Sequence, residues 1–121
     1  DITGNKSIEW DKIKEIADKF ENIPIIVDGG QSKELMYNCF LLSFLNSTKN
    51  IYIETHNLLG FNQVEDLARF KSASRLIFGS YYPFFDDEMA VSRIINGGLN
   101  NHEKTKIASI NIKNIIDKIK I

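Results

Sequence analysis

Arg75-Leu-Ile-Phe-Gly-Ser-Tyr-Tyr-Pro-Phe-Phe85 carries the clearest architectural signal in this chain. Its apolar start suits a strand buried on both faces, and Gly79, followed by two tyrosines and a proline, stops pairing and throws side chains upward. In sheets of alternating strands and helices, ligands sit at the carboxyl ends of the strands, so Ser80, Tyr81 and Tyr82 stand where chemistry is expected. The alternative is that Tyr81 to Phe85 only close the end of the sheet, because aromatic rings bury large areas wherever they land.

Upstream, the same unit recurs. Ile51-Tyr-Ile-Glu-Thr55 reads as a strand by its β-branched and aromatic content and ends in His56-Asn57. Ile23-Pro-Ile-Ile-Val27 reads as a short buried strand with Pro24 tolerated near its start, followed by the loop Asp28-Gly-Gly-Gln31. Between the two, Ser32 is expected to cap a helix with Lys33 and Glu34 in its first turn. Its stripe of Leu35, Met36, Cys39, Phe40 and Leu42 is broad enough to lie on a sheet. After the loop Leu58 to Asn62, the positions Val64, Leu67, Ala68 and Phe70 predict a short helix. Strand then helix, three times at about 25 residues per step, is the spacing of parallel βαβ architecture. Three such units leave a barrel open, since eight strands close one.

A helix precedes this array and others come after it. Ser7 is the expected cap of the first, whose face is Ile13, Ile16, Ala17 and Phe20, after a polar start at residues 1–6 expected to fray. Beyond Phe85, Asp86 or Asp87 opens a helix with Met89, Ala90, Ile94 and Ile95 on its apolar face, ended by Gly97-Gly98. Asn100 or Asn101 caps the last helix, with Ile107, Ala108, Ile112, Ile115, Ile116 and Ile119 inward and most lysines outward. His102, at its start, is expected in solvent.

At 121 residues the chain makes one domain, 1–121. A net charge of −1, with lysines scattered over helix faces, excludes a dedicated nucleic-acid or anionic-lipid surface. No apolar run reaches the length of a membrane span and no signal peptide is visible, so a membrane is not an expected partner. The lone Cys39 excludes a disulfide framework and predicts a reducing, cytoplasmic compartment. It lies in an apolar pattern with no His or basic residue close in sequence, so a reactive role is not expected. The chain opens on Asp1 without an initiator Met, so a processed piece, or part of something longer, is expected.

The order of these pieces resembles the end of the amidohydrolase superfamily, closest to the amidohydrolase-related group that includes aminocarboxymuconate-semialdehyde decarboxylase. Arg75-Leu-Ile-Phe-Gly-Ser-Tyr-Tyr-Pro83, then Asp86-Asp-Glu-Met-Ala90, a glycine break, a charged helix and Asn111 before the final apolar stretch resemble that group's last strand and the segment after it. Asn50 to Thr55 resembles its penultimate strand, and Pro24 to Gly30 the one before. The resemblance runs from about Ser7 to about Ile116. It implies an α/β chain forming part of a TIM (β/α)8 barrel: three parallel βα units, the sixth to eighth, with a preceding and a C-terminal helix. It also implies a divalent metal, zinc in most members, that activates water for hydrolysis or assists decarboxylation of a small carboxylate- or amide-type substrate. The histidines of the first and fifth strands would belong to an N-terminal half that these residues do not include.

The chain departs from the family pattern at two strand ends. Tyr81 stands where most members carry an aspartate that binds metal and takes a proton, and a phenol with an ordinary pKa near 10 is poor at both. Asp28 stands where many members have a histidine; it is the metal-ligand candidate here, or a turn residue before Gly29-Gly30. His56 is a catalytic candidate or a supporting loop residue. Tyr81 would donate a hydrogen bond to a substrate carbonyl or carboxylate, with Ser80 and Tyr82 lining the mouth. Two functions are expected: the C-terminal part of a metal-dependent hydrolase, or a catalytically degenerate half-barrel that acts as an interaction module. The second would work through a partner, either an N-terminal half or a second copy. A small three-stranded α/β domain of another kind is the third possibility, and its open edges would be exposed.

Overall fold

Pro24 and Gly79 bracket the sheet, and every strand between them is short. The computed structural model describes residues 9–28 and 38–119. The expected fraying at residues 1–6, the Ser7 cap, the loop residues Gly29 to Gln31, and the Ser32 cap with its first turns through Met36 lie outside the described residues. Three strands, β1 (Ile25–Val27), β2 (Ile51–Glu54) and β3 (Leu76–Ile77), form one parallel sheet in the order β1-β2-β3. Ile25, Ile26 and Val27 face Ile51, Tyr52 and Ile53 across the first pair, and Ile53 and Glu54 face Leu76 and Ile77 across the second. Sequential neighbours that run parallel need a crossover each time. Each crossover carries a helix in its described part: α2 (Asn38–Asn46) in the first and α3 (Gln63–Leu67) in the second. The α/β class with parallel βα units therefore holds.

Alternation along β2 sorts its side chains between two faces. Ile51 and Ile53 are fully buried in the main core with Leu41, Leu45 and Leu76, while Tyr52 and Glu54 point the other way and stay partly exposed. Complete burial of a Leu or Ile side chain contributes roughly 1.5–3 kcal/mol, so this one face carries much of the stability. Helix α1 (Trp10–Lys19) joins the same core through Ala17, and its Trp10 ring meets Phe40 and Phe44 of α2 edge-on at 5.3 and 4.9 Å. Cys39, on the outer side of α2, is exposed, a correction to its place in the apolar stripe.

An asparagine and an arginine tie the approaches to the strands. Asn50, just before β2, donates its amide to the carbonyls of Ala17, Phe20 and Ile23 at 3.3, 2.9 and 2.7 Å, satisfying the end of α1 and the turn into β1. Arg75, just before β3, donates from Nε to the Ile51 carbonyl at 2.5 Å and from Nη1 to the Thr48 carbonyl at 3.2 Å. Burial pulls its guanidinium below the usual arginine range, and the nearby Tyr52 opposes that.

Beyond α3 the helix widens into a π turn (Ala68–Ser72) and tightens into a 3₁₀ turn (Ala73–Arg75) before entering β3. After β3, α4 (Asp87–Ile95) is capped by Asp86, whose carboxylate accepts the Glu88 N–H at 3.0 Å. Asn100 and Glu103 form a reciprocal capping box on α5 (Asn101–Thr105). A second π turn (Lys106–Ile110) then leads into α6 (Asn111–Asp117). Inside that turn the Ile107 carbonyl accepts the Phe78 N–H at 3.0 Å, so the helix satisfies the chain as it leaves β3. His102 is exposed, as expected. No helix among the described residues is long and apolar enough to cross a membrane.

Candidate functional site

Strand period places Tyr52, Glu54 and the start of the next turn on one side of β2, which carries His56 back toward Glu54. The Glu54 carboxylate bonds His56 twice: Oε1 accepts the backbone N–H at 3.0 Å, and Oε2 meets ring Nδ1. Both side chains are inside the protein, His56 at 4% exposure and Glu54 at 16%. Against a carboxylate, which accepts when ionised, Nδ1 is the ring nitrogen placed to donate.

The end of β3 closes over this pair. The ladder continues past both strands, with Thr55 N–H donating to the Ile77 carbonyl at 3.0 Å and Gly79 N–H donating to Thr55 Oγ1 at 3.4 Å. Gly79 is thereby held against Glu54 so tightly that a Cβ there would lie on the Glu54 carboxyl group. Two residues on, Tyr81 takes a left-handed backbone (φ 57°), a costly conformation for an aromatic residue. The Tyr82-Pro83 peptide is cis. This backbone lays the Tyr81 ring flat on the His56 ring, centroids 4.6 Å apart and planes within 3°. Phe84 and Phe85 lean against Tyr81 at 5.4 and 5.6 Å.

Support also arrives from behind. Arg93 of α4 donates from Nη1 to the carbonyls of Thr55 and His56 at 3.1 and 3.3 Å. Burial pulls its guanidinium below the usual arginine range, and Glu65 acts against that shift. Asn57 donates to the Asp28 carbonyl at 3.2 Å, bringing the end of β1 beside the end of β2.

Of the residues expected at a site, His56 and Tyr81 are in ring contact, and Ser80 lies just before Tyr81. Ser80 Oγ accepts the Tyr82 N–H at 3.3 Å in a local turn, and Tyr82 is 72% exposed at the rim. Asp28 is exposed at the mouth of β1, and its backbone carbonyl ties it to the His56 loop through Asn57. Among the described residues no three His, Cys, Asp or Glu side chains gather as a metal would need, and Glu54 and His56 are engaged with each other. The described residues therefore do not compose a metal centre by themselves. Glu54 and Arg93 join the site without having been expected there. The i, i+2 spacing of Glu54 and His56 carried a usable signal, while Arg93 reaches this loop from 37 residues away and carried none.

The arrangement fixes an imidazole under a phenol. At the carboxyl end of the sheet Tyr81 is the more exposed of the two rings, because it covers His56. The Tyr81 hydroxyl has no hydrogen-bond partner among the described residues. Comparison with family models, with curated proteins and with solved structures found no match for this chain.

Proposed function

We propose that this chain forms the last three βα units of an amidohydrolase-type (β/α)8 barrel. Its strand ends would make one wall of a mouth that takes a small carboxylate- or amide-type substrate for hydrolysis or decarboxylation. The observation that carries this reading is the parallel sheet in sequential order, with Glu54, His56 and Tyr81 gathered at its carboxyl end. Tyr81 is the residue positioned to touch substrate, its hydroxyl donating to a carbonyl or carboxylate oxygen. His56 and Glu54 act through Tyr81 as positioning residues. A divalent metal, zinc by the family pattern, would take its histidines from an N-terminal half, with Asp28 the carboxylate this chain offers. The proposed setting is cytoplasmic, with neither nucleic acid nor membrane as partner.

The second reading is a catalytically degenerate half-barrel that works by pairing with a separate N-terminal half or with a second copy. The exposed rim favours it: Tyr82, Phe84 and Phe85 are 72%, 78% and 56% exposed, an apolar edge suited to a partner. The mass and metal content of the native gene product decide between the two. The enzyme reading expects a product of about 30 kDa, the size of a barrel of roughly 250 residues, with one divalent metal per chain and an activity lost to chelators. A product no longer than these 121 residues that binds no divalent metal overturns it in favour of the pairing module.

A further inference from the structure

Between α3 and α4 lies an open cleft of about 400 Å³. Arg93 and Glu65 both line it, and each is tethered by hydrogen bonds to backbone groups. Arg93 spends Nη1 on the Thr55 and His56 carbonyls, and its Nε and Nη2 have no hydrogen-bond partner among the described residues. Those two nitrogens form the edge of the guanidinium fork that grips a carboxylate with paired bonds. Glu65 spends Oε1 on the Gly98 N–H at 3.0 Å and makes no ion pair with Arg93. Gly97 permits that position, since a Cβ there would strike the Glu65 carboxylate and come within 2.5 Å of the Arg93 carbonyl.

The cleft thus presents a fixed cation and a fixed anion, both half-buried, held near each other without pairing. A ligand with one charge would meet one attractive pole and one repulsive pole. A ligand with both charges a few bonds apart satisfies each pole and replaces the water that each has lost. Met89, on the cleft wall and 64% exposed, offers an adaptable apolar surface beside the charged pair. We propose that this cleft binds a small zwitterion of the α-amino-acid class, its carboxylate on Arg93 Nε and Nη2, its ammonium on Glu65 and its side chain along Met89. Nothing in this depends on where the rest of a barrel comes from.

The test is a titration of the full-length gene product, followed by NMR at Gly97, Gly98 and Met89. The probes are glycine, the smallest zwitterion of the class, and leucine, with acetate and n-butylamine as single-charge controls. Saturable shifts are expected with glycine and leucine below about 10 mM, and weaker ones or none with the controls. Glu65→Gln keeps an acceptor for Gly98 and removes the negative pole, so it should weaken leucine at least about tenfold while leaving acetate no weaker. Arg93→Lys loses the paired edge and should weaken leucine and acetate together; the Thr55 and His56 amide shifts report whether that variant keeps the loop in place. Absence of saturable shifts with glycine and leucine, or equal leucine affinity in Glu65→Gln and the parent, overturns the assignment.

Discussion

Gly79 is the residue on which the candidate site turns. The sequence marks it as the place where a strand stops, and the structure gives a second reason for glycine, because a Cβ would overlap the Glu54 carboxyl group that holds His56. Gly79→Ala is therefore expected to push Glu54 aside and destabilise the fold by about 1–3 kcal/mol, the usual cost of overfilling a packed site. Thermal and denaturant unfolding measure it. If the clash is the cause, adding Glu54→Ala should recover part of the loss, with a coupling of at least about 0.5 kcal/mol in a double-mutant cycle. Additive losses would place the effect elsewhere. Tyr81 behaves differently: its identity suggested chemistry, but its left-handed backbone, which aims the ring at His56, had no sign in the residue type.

Among the elements, the two π turns mark where periodicity and structure part. A wide turn advances fewer degrees per residue, so a residue three positions on does not come back to the same face. Phe70, expected inward with Leu67, is accordingly 67% exposed, while Leu67 is fully buried. In the last helix the inward positions become Ile107, Asn111 and Ile115, four apart, leaving Ile116 and Ile119 at 57% and 61% exposure. Met89 and Ile95 of α4, also expected inward, are 64% and 59% exposed, and only Ala90 and Ile94 of that face are buried. Asn111 uses its inward position to donate to the carbonyls of Ala73 and Leu76, both at 2.7 Å, fixing the entry to β3. Asn111→Ala should cost about 2–3 kcal/mol, because two buried carbonyls lose their donor. A change below about 0.5 kcal/mol in the denaturant midpoint, with m unchanged, would contradict that account.

At the scale of the molecule, one sheet edge is covered, and at the other no strand pairs among the described residues. The β3 side meets the last helix through Phe78 and Ile107, whereas β1 has no neighbouring strand beyond β2 among the described residues. Around β1, Ile23, Ile26 and Phe20 are 55%, 43% and 45% exposed. An open edge flanked by apolar side chains is a template for pairing, so the isolated chain is expected to dimerise or aggregate. Light scattering after size exclusion measures this, and Ile26→Lys should shift the distribution toward monomer by placing a charge on the exposed face. A cooperatively folding monomer without that change would count against both the barrel reading and the half-barrel reading.

Local pattern was enough for the class of fold. The β-branched runs, the cap candidates at Asp86 or Asp87 and Asn100 or Asn101, and the strand-helix alternation pointed to an α/β chain with parallel strands, because hydrogen bonding within an element answers to its own residues and strands joined by helical crossovers run parallel. It took the packed chain to set the burial of His56 beneath Tyr81, the reason for glycine at position 79, the reach of Arg93 to the Thr55 and His56 carbonyls, and the cleft that Arg93 shares with Glu65. Those contacts join side chains and backbone groups from different elements, and no local periodicity records which distant group fills the space left at a strand's end.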